Sequence, residues 1–199
     1  PLYSTVAQSV DGMVRVGRED AQGIRVIKAL SKTEYEYDGT AKTPAVAVMV
    51  DGVPLIKGID FEVSYSENLN AGEAFVTVTF KGNYSGTKTL TYKINPISVT
   101  KCKISLSKTS YTYNGKAQKP AVTVKNHNGT KLSTSSYTVT YASGRKNVGK
   151  YKVTIKMKGN YSGTKTLTFK INPAKISSYK LSTTSYTYNG KAKTPSVTV

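Results

Sequence analysis

The chain repeats a short pattern, Tyr-x-Tyr-Asn/Asp-Gly, at residues 35–39, 111–115 and 186–190. In each case a proline follows five residues after the glycine, at Pro44, Pro120 and Pro195. A pattern copied at a fixed period implies a series of similar units, and the fold of one unit constrains the others. It also bears on function, because chemistry that depends on a single residue is not expected from a framework built to be copied.

The copying extends well beyond the motif. Tyr37, Pro44 and Tyr65 correspond to Tyr113, Pro120 and Tyr141, 76 residues later, and Gly82 and Pro96 correspond to Gly159 and Pro173, 77 residues later. The one-residue slip falls between residues 66–72 and 142–149, which places a loop there, since loops absorb insertions. Period-two alternation marks strands within each copy. Val46 and Val48 match Val122 and Val124, with Val197 and Val199 in a third, partial copy. Phe61, Val63 and Tyr65 match Tyr137, Val139 and Tyr141; Val76, Val78 and Phe80 match Val153, Ile155 and Met157; Leu90, Tyr92 and Ile94 match Leu167, Phe169 and Ile171. Apolar residues replace apolar ones, and intervening polar residues replace polar ones. A half-buried strand requires this, because a slip by one residue would turn its core face to water.

These patterns predict an all-β fold: tandem small immunoglobulin-like sandwich modules, with compact β-grasp-like modules carrying one short helix as the alternative. The expected boundaries are residues 1–23 as a leader or the tail of a preceding domain, 24–96 as a first repeat, 97–173 as a second and 174–199 as the truncated start of a third. Within 1–23, Met13 to Val16 is expected to form a short strand after an Asp11-Gly12 turn. Asp38-Gly39 and Asn114-Gly115 suit the positive φ angles of tight hairpins. Residues 53–59 fit either a turn or a helix. Two strands alone are marginal in water, so 174–199 is expected to pair with an exposed edge or to be mobile.

Through Tyr-x-Tyr-Asn/Asp-Gly, Gly-Asn-Tyr-Ser-Gly-Thr and Ile-Asn-Pro, residues 24–199 resemble the tandem Ig-like or YDG-type repeats of Gram-positive gut bacterial surface proteins. The resemblance implies an extracellular, cell-surface or secreted multidomain protein in which such repeats connect other domains or hold them away from the wall. It carries over no catalytic residues and no cofactor. Residues 1–23 and the partial third copy depart from it.

The net charge of +18 is unevenly distributed. All 11 acidic residues lie at or before Glu73, whereas the chain from Ile97 onward carries 18 lysines and Arg145. Such a half attracts anionic polymers, but lysines on outward strand positions also keep sheet edges soluble, and that is the reading adopted. No nucleic-acid partner is expected. No apolar run approaches the roughly 20 residues of a membrane span. Cys102 is the only cysteine, so neither an internal disulfide nor a multi-cysteine metal site is available.

Reactive constellations are hard to find. His127 is the only histidine and has no acidic neighbour in the sequence, so it lacks the orienting partner that acid–base work needs. Cys102 precedes Lys103, a neighbour expected to lower its pKa, yet a small strand residue is the simpler reading. Glu34, Glu36 and Asp38, and Asp60 with Glu62, suggest weak calcium binding, but their counterparts Ser110, Thr112, Asn114, Ser136 and Thr138 exclude a shared site. A Lys–Asn isopeptide bond needs a buried acid, and the second repeat has none. The remaining candidates are Asn83, Tyr84, Asn160 and Tyr161 in the Gly-Asn-Tyr-Ser-Gly turns, where an exposed tyrosine beside asparagine would stack on a sugar ring. The preferred alternative is that the ring folds back and caps the end of the sheet. The expected function is therefore a non-catalytic spacer or stalk that presents flanking domains of the same polypeptide. The alternative is an adhesion module for glycans or anionic cell-wall polymers, acting through the lysine-rich second repeat and the turn tyrosines.

Overall fold

A computed structural model describes residues 14–21 and 24–199, with side chains from Ala29 onward. The expected Asp11-Gly12 turn and Met13 lie outside the described residues. The first strands are β1 (Val14–Ala21), β2 (Ile24–Leu30), β3 (Glu34–Glu36), β4 (Val46–Val50), β5 (Val53–Pro54), β6 (Phe61–Ser66), β7 (Gly72–Phe80) and β8 (Thr87–Asn95). There follow β9 (Ile97–Ser98), β10 (Lys103–Leu106), β11 (Ser110–Thr112), β12 (Val122–Lys125), β13 (Tyr137–Tyr141), β14 (Gly149–Met157), β15 (Tyr161–Ser162), β16 (Thr164–Asn172), β17 (Lys180–Leu181) and β18 (Val197–Thr198). The described residues are all-β. Their helical segments are 3-10 turns at Val99–Lys101 and Thr134–Ser136, so the one-helix β-grasp alternative has no helix to rest on, and residues 53–59 form β5 and a turn.

Two four-stranded sheets share one plan. The first runs β3-β8-β7-β6 and the second β11-β16-β14-β13. In both, a short strand pairs in parallel with the last long strand, in matching register: Tyr35 opposite Ile94, and Tyr111 opposite Ile171. Each parallel ladder continues at both ends. Lys93 N–H donates to Thr33 O and Tyr37 N–H to Asn95 O; Lys170 N–H donates to Thr109 O and Tyr113 N–H to Asn172 O.

By its contacts the chain forms two compact units. The first takes the described residues up to Lys103 with 124–138 and 155–165. Here the sheet β1-β2-β4-β5 faces the sheet β3-β8-β7-β6. Leu30 packs with Ala74, Val76, Leu90, Tyr92 and Ile94, and Val48 packs with Phe61 and Val78. Side chains from both sheets thus fill one sandwich core, and each fully buried Val, Leu, Ile or Phe contributes roughly 1.5–3 kcal/mol. Residues 14–21 belong to this sheet: β1 pairs antiparallel with β2, with a register shift between Arg15 and Gly17. β4 departs from simple alternation, since Val48, Met49 and Val50 are all buried.

The second unit comprises 104–123, 139–154 and 166–199. Tyr111 meets buried Phe169 edge-on and Tyr151 lies tilted against it, at ring distances of 5.7 and 5.6 Å. At its far end β17 pairs with β18. Among the described residues the third-copy strands pair with each other, where an exposed edge or mobility was expected. Val197 and Val199, expected in a core, are 59% and 73% exposed, because no second sheet lies over them among the described residues.

The Asp38-Gly39 and Asn114-Gly115 turns are not hairpins. β3 and β4 lie in different sheets, as do β11 and β12, so these turns carry the chain from one sheet to another. Asp38 Oδ1 accepts the Thr40 N–H at 2.9 Å, and Asn114 Oδ1 accepts the Lys116 N–H at 3.0 Å. This is the local side-chain turn that Asp and Asn favour. A two-residue hairpin sits at Asp51-Gly52, where φ is 48° and 83° and Val50 pairs with Val53.

Candidate functional site

The Gly-Asn-Tyr-Ser-Gly turns are built alike. Phe80 N–H donates to Gly86 O, and Met157 N–H to Gly163 O, both at 2.9 Å. Lys81 N–H donates to Asp60 O, and Lys158 N–H to Ser136 O, tying each turn to the neighbouring strand connection. Beyond this shared backbone the environments diverge.

In the second turn Tyr161 is buried. Residues 161–162 form β15, parallel to β9, and Ile97 N–H donates to Asn160 O at 2.9 Å. The Tyr161 ring meets Tyr37 edge-on at 6.3 Å. Asn160 Oδ1 accepts the Ala71 N–H at 2.7 Å, and its Nδ2 donates to Asn70 Oδ1 at 3.1 Å. A Cβ on Gly163 would stand 2.8 Å from Val99 Cγ1, so this glycine lets the turn close on Val99. Tyr161 and Asn160 are accordingly placed as packing and bonding groups, and the Tyr161 ring is turned inward, as the folded-back alternative expects, rather than exposed. In the first turn Tyr84 is half-buried and Asn83 exposed. The identical pentapeptide thus sits in two settings, and the structure does not bring the four candidates together as one site.

The acidic clusters are each bonded separately. Glu36 pairs with Lys101 at 2.7 Å and Glu62 with Lys81 at 2.6 Å, while Asp60 Oδ2 accepts the Ile56 N–H at 2.8 Å. Asp38 is paired with Lys42, and hydrogen bonds from Lys42 and Thr40 hold its carboxyl far below the usual carboxylate range. The Lys81 hydrogen bond likewise lowers Glu62. No group of metal-ligating residues occurs among the described residues. His127 is exposed on a loop closed by Asn126, whose N–H donates to Thr130 O and whose Oδ1 accepts the Thr130 N–H, both at 2.9 Å. Burial pushes the Cys102 thiol up, opposite to the shift expected from Lys103.

Two open grooves, of about 400 Å³ beside Thr33, Glu34, Glu73 and Lys93 and of about 390 Å³ beside Leu106, Thr109, Thr166 and Leu167, overlap in the repeat register only at Thr33 with Thr109 and Thr91 with Thr168. They lie over different parts of the two copies, so they do not form one repeated site.

Sequence reasoning missed one polar arrangement. The buried Tyr92 hydroxyl donates to Lys42 O at 2.7 Å, and Asn68 Nδ2 bonds the same carbonyl. Phe169 stands where a second such hydroxyl would be. There Arg145 Nε donates to Gln118 O at 2.9 Å and Nη1 to Ala142 O at 2.7 Å. The lone arginine among 18 lysines was the available signal, because a planar fork reaches two carbonyls at once.

Fold and turns define a class: an all-β, sandwich-like module whose polar turn residues mostly bond their own backbone. Residues 102–175 match the family model of the MBG domain, a β-rich family. The match covers less than half of the chain and names a different family from the YDG-type resemblance; what they share is a β-rich module. No curated protein matches the chain.

Proposed function

We propose that this chain is a non-catalytic structural part of a cell-surface or secreted multidomain protein, built from copies of one β module that space and present flanking domains. The observation that carries this reading is a framework built twice over linings that differ. Strand order, parallel register, Tyr-to-Pro bond and turn bonds recur 76 or 77 residues apart, while Asp38–Lys42 becomes Asn114–Gln118 and Tyr92 becomes Phe169. The match to the MBG domain, a β-rich extracellular-type module, supports it. The test is binding of the chain to glycan arrays and to purified bacterial wall at low and high salt. A spacer gives no saturable binding in either; saturable binding at both would overturn the reading.

A second reading rests on one face. Lys150 and Lys152 on β14 and Lys170 on β16, all in the second unit and alternating with its buried residues, are exposed. A row of ammonium groups on adjacent strands favours an anionic wall polymer. In the same assay it predicts binding that weakens steeply with salt.

A further inference from the structure

The first unit contains a docking arrangement whose two halves recur, unoccupied by each other, elsewhere in the chain. Tyr37, Asn70 and Ala71 receive the second Gly-Asn-Tyr-Ser-Gly turn: Tyr161 packs edge-on against Tyr37, and Asn160 bonds Asn70 Oδ1 and the Ala71 N–H. Each receiving residue has a counterpart 76 or 77 positions later, namely Tyr113, Asn147 and Val148. The backbone there is equivalent, since Tyr113 N–H is held by Asn172 O as Tyr37 N–H is by Asn95 O, both at 2.8 Å. Yet this second face is open: Tyr113 is 40% and Val148 52% exposed. Neither the Val148 N–H nor the Asn147 side chain has a hydrogen-bond partner among the described residues. The matching turn is also available, with Asn83 exposed and Tyr84 half-buried.

We propose that the Tyr113, Asn147 and Val148 face docks the 82–86 turn of a second copy of this chain, reproducing in trans the contact made by Asn160 and Tyr161. Asn83 takes the place of Asn160 on the Val148 N–H and the Asn147 side chain, and the Tyr84 ring lies against Tyr113. The occupant follows from the established contact, because the 82–86 and 159–163 turns have the same sequence and the same closing hydrogen bond. The two halves are different surfaces, so the association is heterologous and runs head to tail. One element is missing: Thr112 stands where Glu36 pairs with Lys101, so no ion pair accompanies this docking. Added salt therefore does not weaken it, and by screening the repulsion between two chains of net charge +18 it favours it. The inference goes beyond a spacing role and does not depend on it.

The test is sedimentation equilibrium of the full chain across the micromolar to millimolar range, at low and high salt. The expected result is concentration-dependent association, not weakened by salt and abolished singly by the Asn83→Ala/Tyr84→Ala double substitution or by Val148→Asp. Mixed in equal amounts, these two variants form a 1:1 dimer, because each retains the half the other lacks. Circular dichroism verifies their folding, and Val148→Lys replaces Val148→Asp if the latter is unfolded. A chain monomeric throughout, association lost at high salt, or a mixture that stays monomeric would overturn the proposal.

Discussion

The Tyr65 hydroxyl donates a 2.6 Å hydrogen bond to the carbonyl of Pro44 across 21 residues of chain, and Pro44 is among the most buried residues of the first unit. Tyr141 does the same to Pro120, also at 2.6 Å. Each bond fixes the start of the strand that follows the sheet-changing turn. Tyr65→Phe leaves a buried carbonyl without this donor and should cost about 1–3 kcal/mol. Tyr92→Phe should cost less, because Asn68 Nδ2 still bonds the Lys42 carbonyl that Tyr92 serves. Urea denaturation of the two variants checks the order; equal losses would contradict it.

A second device recurs three times at one spacing. Ser31 N–H donates to Ala45 O and Ser31 Oγ accepts the Ala45 N–H; Ser107 and Ala121 are joined in the same way, as are Ser182 and Ser196. Each pair closes the loop that carries a Tyr-x-Tyr motif. Ser107→Ala removes the side-chain half and should destabilise by about 0.5–1.5 kcal/mol. Amide exchange gives the direct readout: the Ala121 N–H should exchange faster while the Ala45 N–H is unchanged.

The core faces were legible in the sequence because alternation is a local signal. Val76, Val78, Val153 and Ile155 are all fully buried. The parallel partner of β3 was not legible, since parallel pairing joins residues nearly 60 apart without a local mark. Asp38-Gly39 looked like a hairpin because the dipeptide favours one; that its flanking strands enter different sheets is a tertiary fact. The two Gly-Asn-Tyr-Ser-Gly turns show the limit for the candidate site. Tyr84 and Tyr161 have the same immediate neighbours in sequence, and it is Tyr37, Asn70 and Ala71, with Ile97 and Val99, all far along the chain, that surround and bond the second turn.

Acid sensitivity should be confined to the chain up to Glu73. Asp38 and Glu62 have folded pKa values depressed below their ordinary values of 3.8 and 4.5 by hydrogen bonds from Lys42, Thr40 and Lys81. A depressed carboxyl contributes stability that is present above its unfolded pKa and lost as pH falls through the folded one. The loss therefore begins near pH 4 and continues into strong acid. From Ile97 onward there is no acidic side chain, and Asn114–Gln118 replaces the Asp38–Lys42 pair. Hydrogen exchange compared at pH 6 and pH 3, corrected for intrinsic rates, should show protection falling in β6 and β7 while β14 and β16 hold. Equal loss in both sets would refute the assignment.

Burial raises the Tyr92 phenol to about 12, with Tyr65 and Tyr35 nearby adding to the shift. The neutral form is favoured in the folded chain, so this contribution is full below the ordinary value of 10.0 and disappears as pH rises from there through the folded value. Desolvation dominates because the ring lies in the sandwich core and its hydroxyl is committed to the Lys42 carbonyl. An ultraviolet phenolate titration should thus show a late component absent from Tyr92→Phe, coincident with loss of the folded β signal. Phe169 has no hydroxyl, so the second sheet lacks this liability, and its amides should remain protected at a pH where those of β7 and β8 have begun to exchange. Simultaneous alkaline loss of both sheets would show that Tyr92 does not govern the transition.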